Sequence, residues 1–164
     1  MTASPPDRDG PEERARAACL NALGRRMHSR RELEIKLARK GIAPEIAAGV
    51  LDRLTEVGLV DDAAYARAFV AERQRRRPRG AFALQAELAA RGVDRETAEV
   101  VLAETADAED PVEVACRALE PRRRSLERLP RDRARAKAGQ FLRGRGFGFA
   151  VAAEAVDRVL PGDP

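Results

Sequence analysis

The sequence predicts an all-α protein built from three tandem three-helix repeats, and three observations carry that prediction. A short phrase recurs: Leu37-Ala38-Arg39-Lys40-Gly41-Ile42 returns as Leu88-Ala89-Ala90-Arg91-Gly92-Val93 and again as Leu142-Arg143-Gly144-Arg145-Gly146-Phe147, at offsets of 51 and then 54 residues. Each copy has the form of a helix C-terminus, with a core Leu, a cation at the negative end of the dipole and a Gly able to take the left-handed cap. Such a near-constant period is the mark of a repeat architecture. The 164-residue chain is also rich in Ala, Arg, Leu and Glu, which favour helix. It offers no sustained apolar run of period two that would read as strand.

The first repeat, residues 13–58, opens near Pro11, a residue suited to a first helical turn. Ala18, Leu20 and Leu23 give that helix an apolar face, and it ends between Gly24 and His28. Ser29-Arg30-Arg31-Glu32 reads as a capping box, starting a helix in which Leu33 and Leu37 lie one turn apart. Ala43-Pro44 opens a third helix with Ile46, Val50, Leu51, Leu54 and Val57 at helical spacing, closed by Gly58. The second repeat, residues 59–107, begins at Asp61-Asp62, acids that suit a helix N-terminus. Tyr65, Ala66, Phe69, Val70 and Arg73 share a face, and Pro78 and Gly80 break the helix. Leu84 and Leu88 repeat the spacing of Leu33 and Leu37, and Asp94 caps a helix carrying Ala98, Val101 and Leu102. The third repeat, residues 108–160, starts at Asp110-Pro111 with Val112, Ala115, Cys116 and Leu119 inward, and Pro121 ends or kinks its first helix. An Arg-rich connection runs through Pro130 and accounts for the longer second offset. Ala134, Ala138, Phe141 and Leu142 then form one face, and Val151, Val156 and Val159 the last. Residues 1–12, rich in Pro, Asp and Gly, read as a disordered tail.

Charged residues make up 35% of the chain, and 31 basic against 27 acidic residues leave a net charge of only +4. Distribution matters more than the total. Arg73, Arg75, Arg76, Arg77 and Arg79 lie in seven residues without an acid, and seven Arg stand between 122 and 135, beginning with Arg122, Arg123 and Arg124. Four cations running from a helix end into a Pro-Gly turn exceed what the helix dipole needs, so these eight arginines are the candidate partner-facing residues. Lys40, Arg91 and Arg145, by contrast, are explained as helix-end charges. Tyr65 and Phe69 could stack on bases, but sharing a face with Ala66 and Val70 makes them core residues.

No catalytic constellation is visible. His28 stands at a helix boundary without a ligand cluster, and Arg143-Gly144-Arg145-Gly146 is a helix end, not a phosphate-binding loop after a strand. Cys19 and Cys116 lack metal or redox spacing and read as buried thiols of a reducing compartment. No stretch approaches membrane-spanning length, and residues 1–12 lack the apolar centre of a signal peptide. A cytoplasmic, monomeric, non-enzymatic protein without cofactor or metal is expected.

Several of these blocks together resemble the RecX family of regulators of the RecA recombinase, over about residues 15–160. Ser29-Arg30-Arg31-Glu32-Leu33 with Lys36-Leu37 and Lys40-Gly41 is similar to the family's first-repeat signature. Gly58-Leu59-Val60-Asp61-Asp62, followed by Tyr65-Ala66-Arg67-Ala68-Phe69-Val70 and the Arg run, resembles its most specific block, and Arg145-Gly146-Phe147-Gly148-Phe149 resembles its ending. The chain departs from the family at Ala81-Phe82-Ala83, where basic residues are common, and at Pro121 with the Arg-rich 122–135 segment. The resemblance implies helix-turn-helix-like units in an elongated, curved arrangement. It also implies binding in the groove of the RecA–single-stranded-DNA filament, lowering its ATPase, strand-exchange and coprotease activities. Direct, sequence-independent DNA binding through the Arg clusters is the alternative.

Overall fold

The computed structural model describes residues 10–161, and among these it is helical with no strand. The described residues gather into two compact units, residues 10–65 with 91–93 and residues 66–90 with 94–161. Of the tail expected over residues 1–12, residues 1–9 lie outside the described residues, and Pro11 and Glu12 are already helical.

The first unit contains α1 (Pro11–Leu23), α2 (Arg30–Arg39) and α3 (Pro44–Glu56), with a proline in the first turn of α1 and of α3. Leu33, Leu37 and Leu51 are fully buried, joined by Ala15, Cys19, Val50 and Leu54 in one core. Two expectations fail here for local reasons. The buried face of α1 is Ala15, Cys19 and Ala22, a stripe of small side chains spaced one turn apart; the expected Ala18 and Leu23 pack partly buried against the same core, while Leu20 is 38% exposed. Val57 is 68% exposed because α3 ends at Glu56, and from the C-cap onward helical spacing no longer sets direction.

The recurring phrase forms the helix end expected of it. The Gly41 amide donates to the Ala38 carbonyl at 3.0 Å and the Ile42 amide to Leu37 at 3.1 Å, the paired bonds of a Schellman motif. Gly41 has φ 73°, the left-handed region that costs an L side chain roughly 1–2 kcal/mol. Phe147 and Gly146 repeat the pattern onto Leu142 and Arg143 at 3.1 and 2.9 Å, and Gly92 and Gly146 also have positive φ.

The second unit contains α4 (Asp62–Arg76) from Ala66 onward, α5 (Ala81–Ala90), α6 (Arg95–Ala108), α7 (Pro111–Leu119), α8 (Arg123–Leu126), α9 (Arg131–Gly144) and α10 (Phe149–Val159). Asp94 caps α6 by accepting from the Thr97 amide at 2.9 Å, and Asp110 caps α7 through Val112 at 2.9 Å. Val70, Leu84, Leu88 and Val101 are buried, and Leu119, Ala138, Leu142, Ala155 and Val156 centre the core of the C-terminal helices. The segment after Pro121, expected as a connection, is itself helical: a 3-10 turn, Glu120–Arg122, leads into α8, and Leu126 is buried. The extra residues behind the 54-residue offset therefore add one apolar anchor. Within this unit the α4–α5 turn meets the α9–α10 turn through main chain. The Gly80 amide donates to the Arg145 carbonyl at 2.9 Å and the Phe82 amide to Gly146 at 3.3 Å. A Cβ on Gly80 would stand 2.2 Å from the Gly146 oxygen, so this approach admits only glycine.

Candidate functional site

The eight arginines singled out from the sequence differ in how they are held. Arg73 donates from Nε to Glu87 Oε2 at 2.7 Å and lies 5.1 Å from the Phe69 ring centre. Arg79 Nε stands 3.0 Å from the other oxygen of the same carboxylate, so Glu87 bridges two guanidiniums. Arg75 and Arg76 both pair with Glu72 and Arg123 with Glu127 at 3.0 Å, all on exposed surface where such pairs contribute little stability. Arg77, Arg122 and Arg124 pair with no carboxylate of the described residues.

Arg122 belongs to a cluster that sequence reasoning does not assemble. Its guanidinium lies 4.2 Å from the ring centre of Phe141, and Arg145 lies 4.9 Å from the same ring. The two arginines line a shallow cavity of about 420 Å³ whose other walls include Lys137, Gln140 and Leu129. Burial, together with the like charges of Arg79, Arg77 and Arg122, holds the Arg145 guanidinium below its ordinary value. Arg145 thus lies within electrostatic reach of three other cations, and no carboxylate of the described residues pairs with it. A helix-end charge is therefore only part of what Arg145 is. Membership of the recurring phrase is the signal the sequence offers for it, but its convergence with Arg122 depends on the 3-10 turn Glu120–Arg122, which sets Arg122 over the same Phe141 ring of α9. Phe141, expected in the core, is half-buried and serves as the platform between the two arginines.

In the first unit, charges serve the architecture. Ser29 accepts from the Glu32 amide at 3.2 Å, and the Glu32 side chain accepts from the Ser29 amide at 3.4 Å, completing the capping box. Ser29 Oγ also donates to the Arg91 carbonyl at 2.6 Å. Glu32 accepts further from Arg26 at 3.1 Å and from Arg91 and the Tyr65 hydroxyl, both at 3.2 Å. Burial raises the Glu32 carboxyl, but the bonds from Arg26, the Ser29 amide and Tyr65 outweigh it and hold the group below the usual carboxylate range. Asp61 caps α4 through the Ala64 amide at 2.9 Å and Asp62 is the first residue of that helix, as expected, and the Asp62 carboxylate also accepts from the Arg30 amide at 2.8 Å. Tyr65 is buried, in keeping with the core assignment. Arg91 is thus a buttress as well as a helix-end charge.

His28 is buried, its Nδ1 donating to the Arg26 carbonyl at 3.0 Å. Cys19 and Cys116 are free thiols that burial pushes up, away from thiolate chemistry. Among the described residues no cluster of three or more His, Cys, Asp or Glu has metal-binding geometry, and no helix is long and apolar enough to cross a membrane.

These features define a helical-repeat protein with a divided arginine surface. Residues 15–54 match the family model described as RecX, first three-helix domain, and residues 61–102 match RecX, second three-helix domain. The chain is 43% identical over 138 residues to the regulatory protein RecX of Chromohalobacter salexigens, covering 84% of this chain and 88% of that one. It is 50% identical over 91 residues to the regulatory protein RecX of Mycolicibacterium vanbaalenii, covering 56% of this chain and half of the relative's length. The crystal structure of RecX from Lactobacillus salivarius superimposes with a TM-score of 0.83 at 21% identity, covering 91% of this chain and 96% of that one, a likeness of fold. The chain belongs to the RecX family of regulatory proteins.

Proposed function

We propose that this protein is a non-enzymatic, cytoplasmic modulator that binds the RecA–single-stranded-DNA filament as a monomer and lowers its ATPase, strand-exchange and coprotease activities. Membership of the RecX family carries this reading. Its physical support is modular: repeats at 13–58, 59–107 and 108–160 would offer successive contact surfaces to a periodic partner, and weak contacts on one chain reinforce one another by effective concentration. Arg73, Arg75, Arg76, Arg77, Arg79, Arg122, Arg123 and Arg124 are the proposed partner-facing residues. The test is ATP hydrolysis by RecA on single-stranded DNA with added purified protein. Inhibition near stoichiometric amounts is expected, and unchanged hydrolysis overturns the reading.

A second reading, direct sequence-independent DNA binding, is favoured by one observation: Arg77, Arg122 and Arg145 have no carboxylate partner among the described residues. Phosphate binding through them would weaken steeply with salt. Titration of labelled DNA at two salt concentrations without RecA tests it, and tight binding that salt does not weaken counts against it.

A further inference from the structure

We propose that Ser125 accepts a phosphoryl group from a protein kinase that reads basic sequences, and that Arg122, Lys137 and Arg145 hold the resulting phosphate. The proposal goes beyond both readings above and rests on neither.

The sequence offers two acceptors and the structure selects one. Ser29 follows Arg25-Arg26, and Ser125 follows Arg122-Arg123-Arg124. Ser29 is closed to a kinase: it is 0% exposed, its hydroxyl donates to the Arg91 carbonyl at 2.6 Å, and it caps α2. Ser125 is exposed, and its hydroxyl donates only within its own turn, to the Arg122 carbonyl at 2.7 Å. The arginines before it are open as well. Arg122 and Arg124 pair with no carboxylate of the described residues, and Arg123 pairs on the surface with Glu127. Acidic side chains in a kinase cleft would take such guanidinium forks through paired hydrogen bonds.

The segment can be presented to that cleft. Residues 120–128 bury only Leu126, and Pro121 and Pro130 bracket the acceptor. Opening it withdraws one apolar anchor and leaves the rest of the core in place, the property of a segment that opens locally. In the transfer, Ser125 Oγ attacks the γ-phosphorus of the kinase-bound nucleoside triphosphate. The new O–P bond forms as the bond to the bridging oxygen breaks, the hydroxyl proton passes to the kinase's base, and the nucleoside diphosphate leaves.

A place for the product is already built. Ser125 lines the cavity of about 420 Å³ together with Arg122, Lys137 and Arg145, and no acidic residue is among its walls. Three cations therefore surround a neutral hydroxyl with nothing to compensate them. Arg122 and Arg145 both rest on the Phe141 ring, which limits the rotamer freedom given up when they grip a ligand. Phosphoserine supplies a charge of about −1.5 to −2 and three strong acceptor oxygens. It would neutralise this surface and tie α8 to α9.

The experiment incubates the full chain with MgATP and the catalytic subunit of the cyclic-AMP-dependent protein kinase, then maps phosphate by mass spectrometry. Phosphate is expected on Ser125 and absent from the same peptide of Ser125→Ala. No incorporation at Ser125, or equal incorporation at Ser29, overturns the choice of acceptor. Phosphorus NMR then follows the pH titration of the phosphoserine. Neighbouring cations favour the dianion, so its second ionisation should fall clearly below the ordinary value of about 6. Phosphorylated Lys137→Ala and Arg145→Ala chains, which keep the arginines before Ser125, should return it toward that value. Lys137 is exposed, so Lys137→Ala carries the test should Arg145→Ala lose helical signal. A phosphoserine that titrates at its ordinary value, or that is indifferent to these substitutions, overturns the assigned cradle.

Discussion

At the scale of single residues, the glycines of the recurring phrase separate two physical roles that share one motif. Gly41 and Gly92 both hold positive φ, but a Cβ on Gly41 meets nothing within 4 Å whereas one on Gly92 stands 2.2 Å from the Arg31 Cβ. Gly41→Ala should therefore lower stability only by backbone strain, about 1–2 kcal/mol. Gly92→Ala should lose clearly more, because the obstructing atom is anchored to the backbone. Paired denaturant titrations check this, and equal losses would show that the Gly92 contact relaxes freely. Leu37 and Leu88, both at 0% exposure, should each lose about 2–5 kcal/mol on replacement by Ala, from reduced burial and the cavity left behind. These leucines and glycines were legible in the sequence because helix ends and core spacing are local signals. The clash at Gly92 was not, since its partner lies about sixty positions earlier in the chain.

At the scale of the element, α2 shows how a helix start can be over-determined. Its N-terminus is capped by Ser29, closed by Glu32 and approached by Asp62. Because the folded Glu32 carboxyl sits below its unfolded value, its contribution to stability is fully present above the ordinary carboxylate range and is lost as pH falls through the depressed value. Glu32→Gln should therefore melt lower than wild type at neutral pH, and the gap should narrow as pH drops below about 4; a gap independent of pH would remove the charge from the explanation. The capping box was readable because it is written in four consecutive residues. The visits of Asp62, Tyr65 and Arg91 to that helix end were not, for tertiary hydrogen bonds leave no local pattern. The same limit explains α1, where a stripe of small residues outranked the larger Leu20, and α8, whose charged sequence hid a short helix anchored by one leucine.

At the scale of the whole molecule, the net charge of +4 understates the surface because pairing is uneven. Arg75 and Arg76 are exposed and Arg77 has no carboxylate partner among the described residues, whereas Arg79 shares a half-buried carboxylate. Replacing Arg75, Arg76 and Arg77 by Ala should weaken filament binding with Tm near wild type. Adding Arg79→Ala should also lower Tm, since it leaves Glu87 half-paired. A drop in Tm from the first three alone would assign them to the fold. Composition pointed to the arginine clusters as a surface for a polyanionic or acidic partner, but only the ion-pair geometry divides that surface into neutralised and open parts.

The main-chain bonds that fasten the α4–α5 turn to the α9–α10 turn provide an internal clock. The amides of Gly80 and Phe82 have their acceptors in a segment more than sixty residues away, so their hydrogen–deuterium exchange measures the opening of that contact and nothing about their own helix. A ligand seated across both turns should slow exchange at these two positions in step. One held by the arginines of a single turn would leave the two amides exchanging at their free rates.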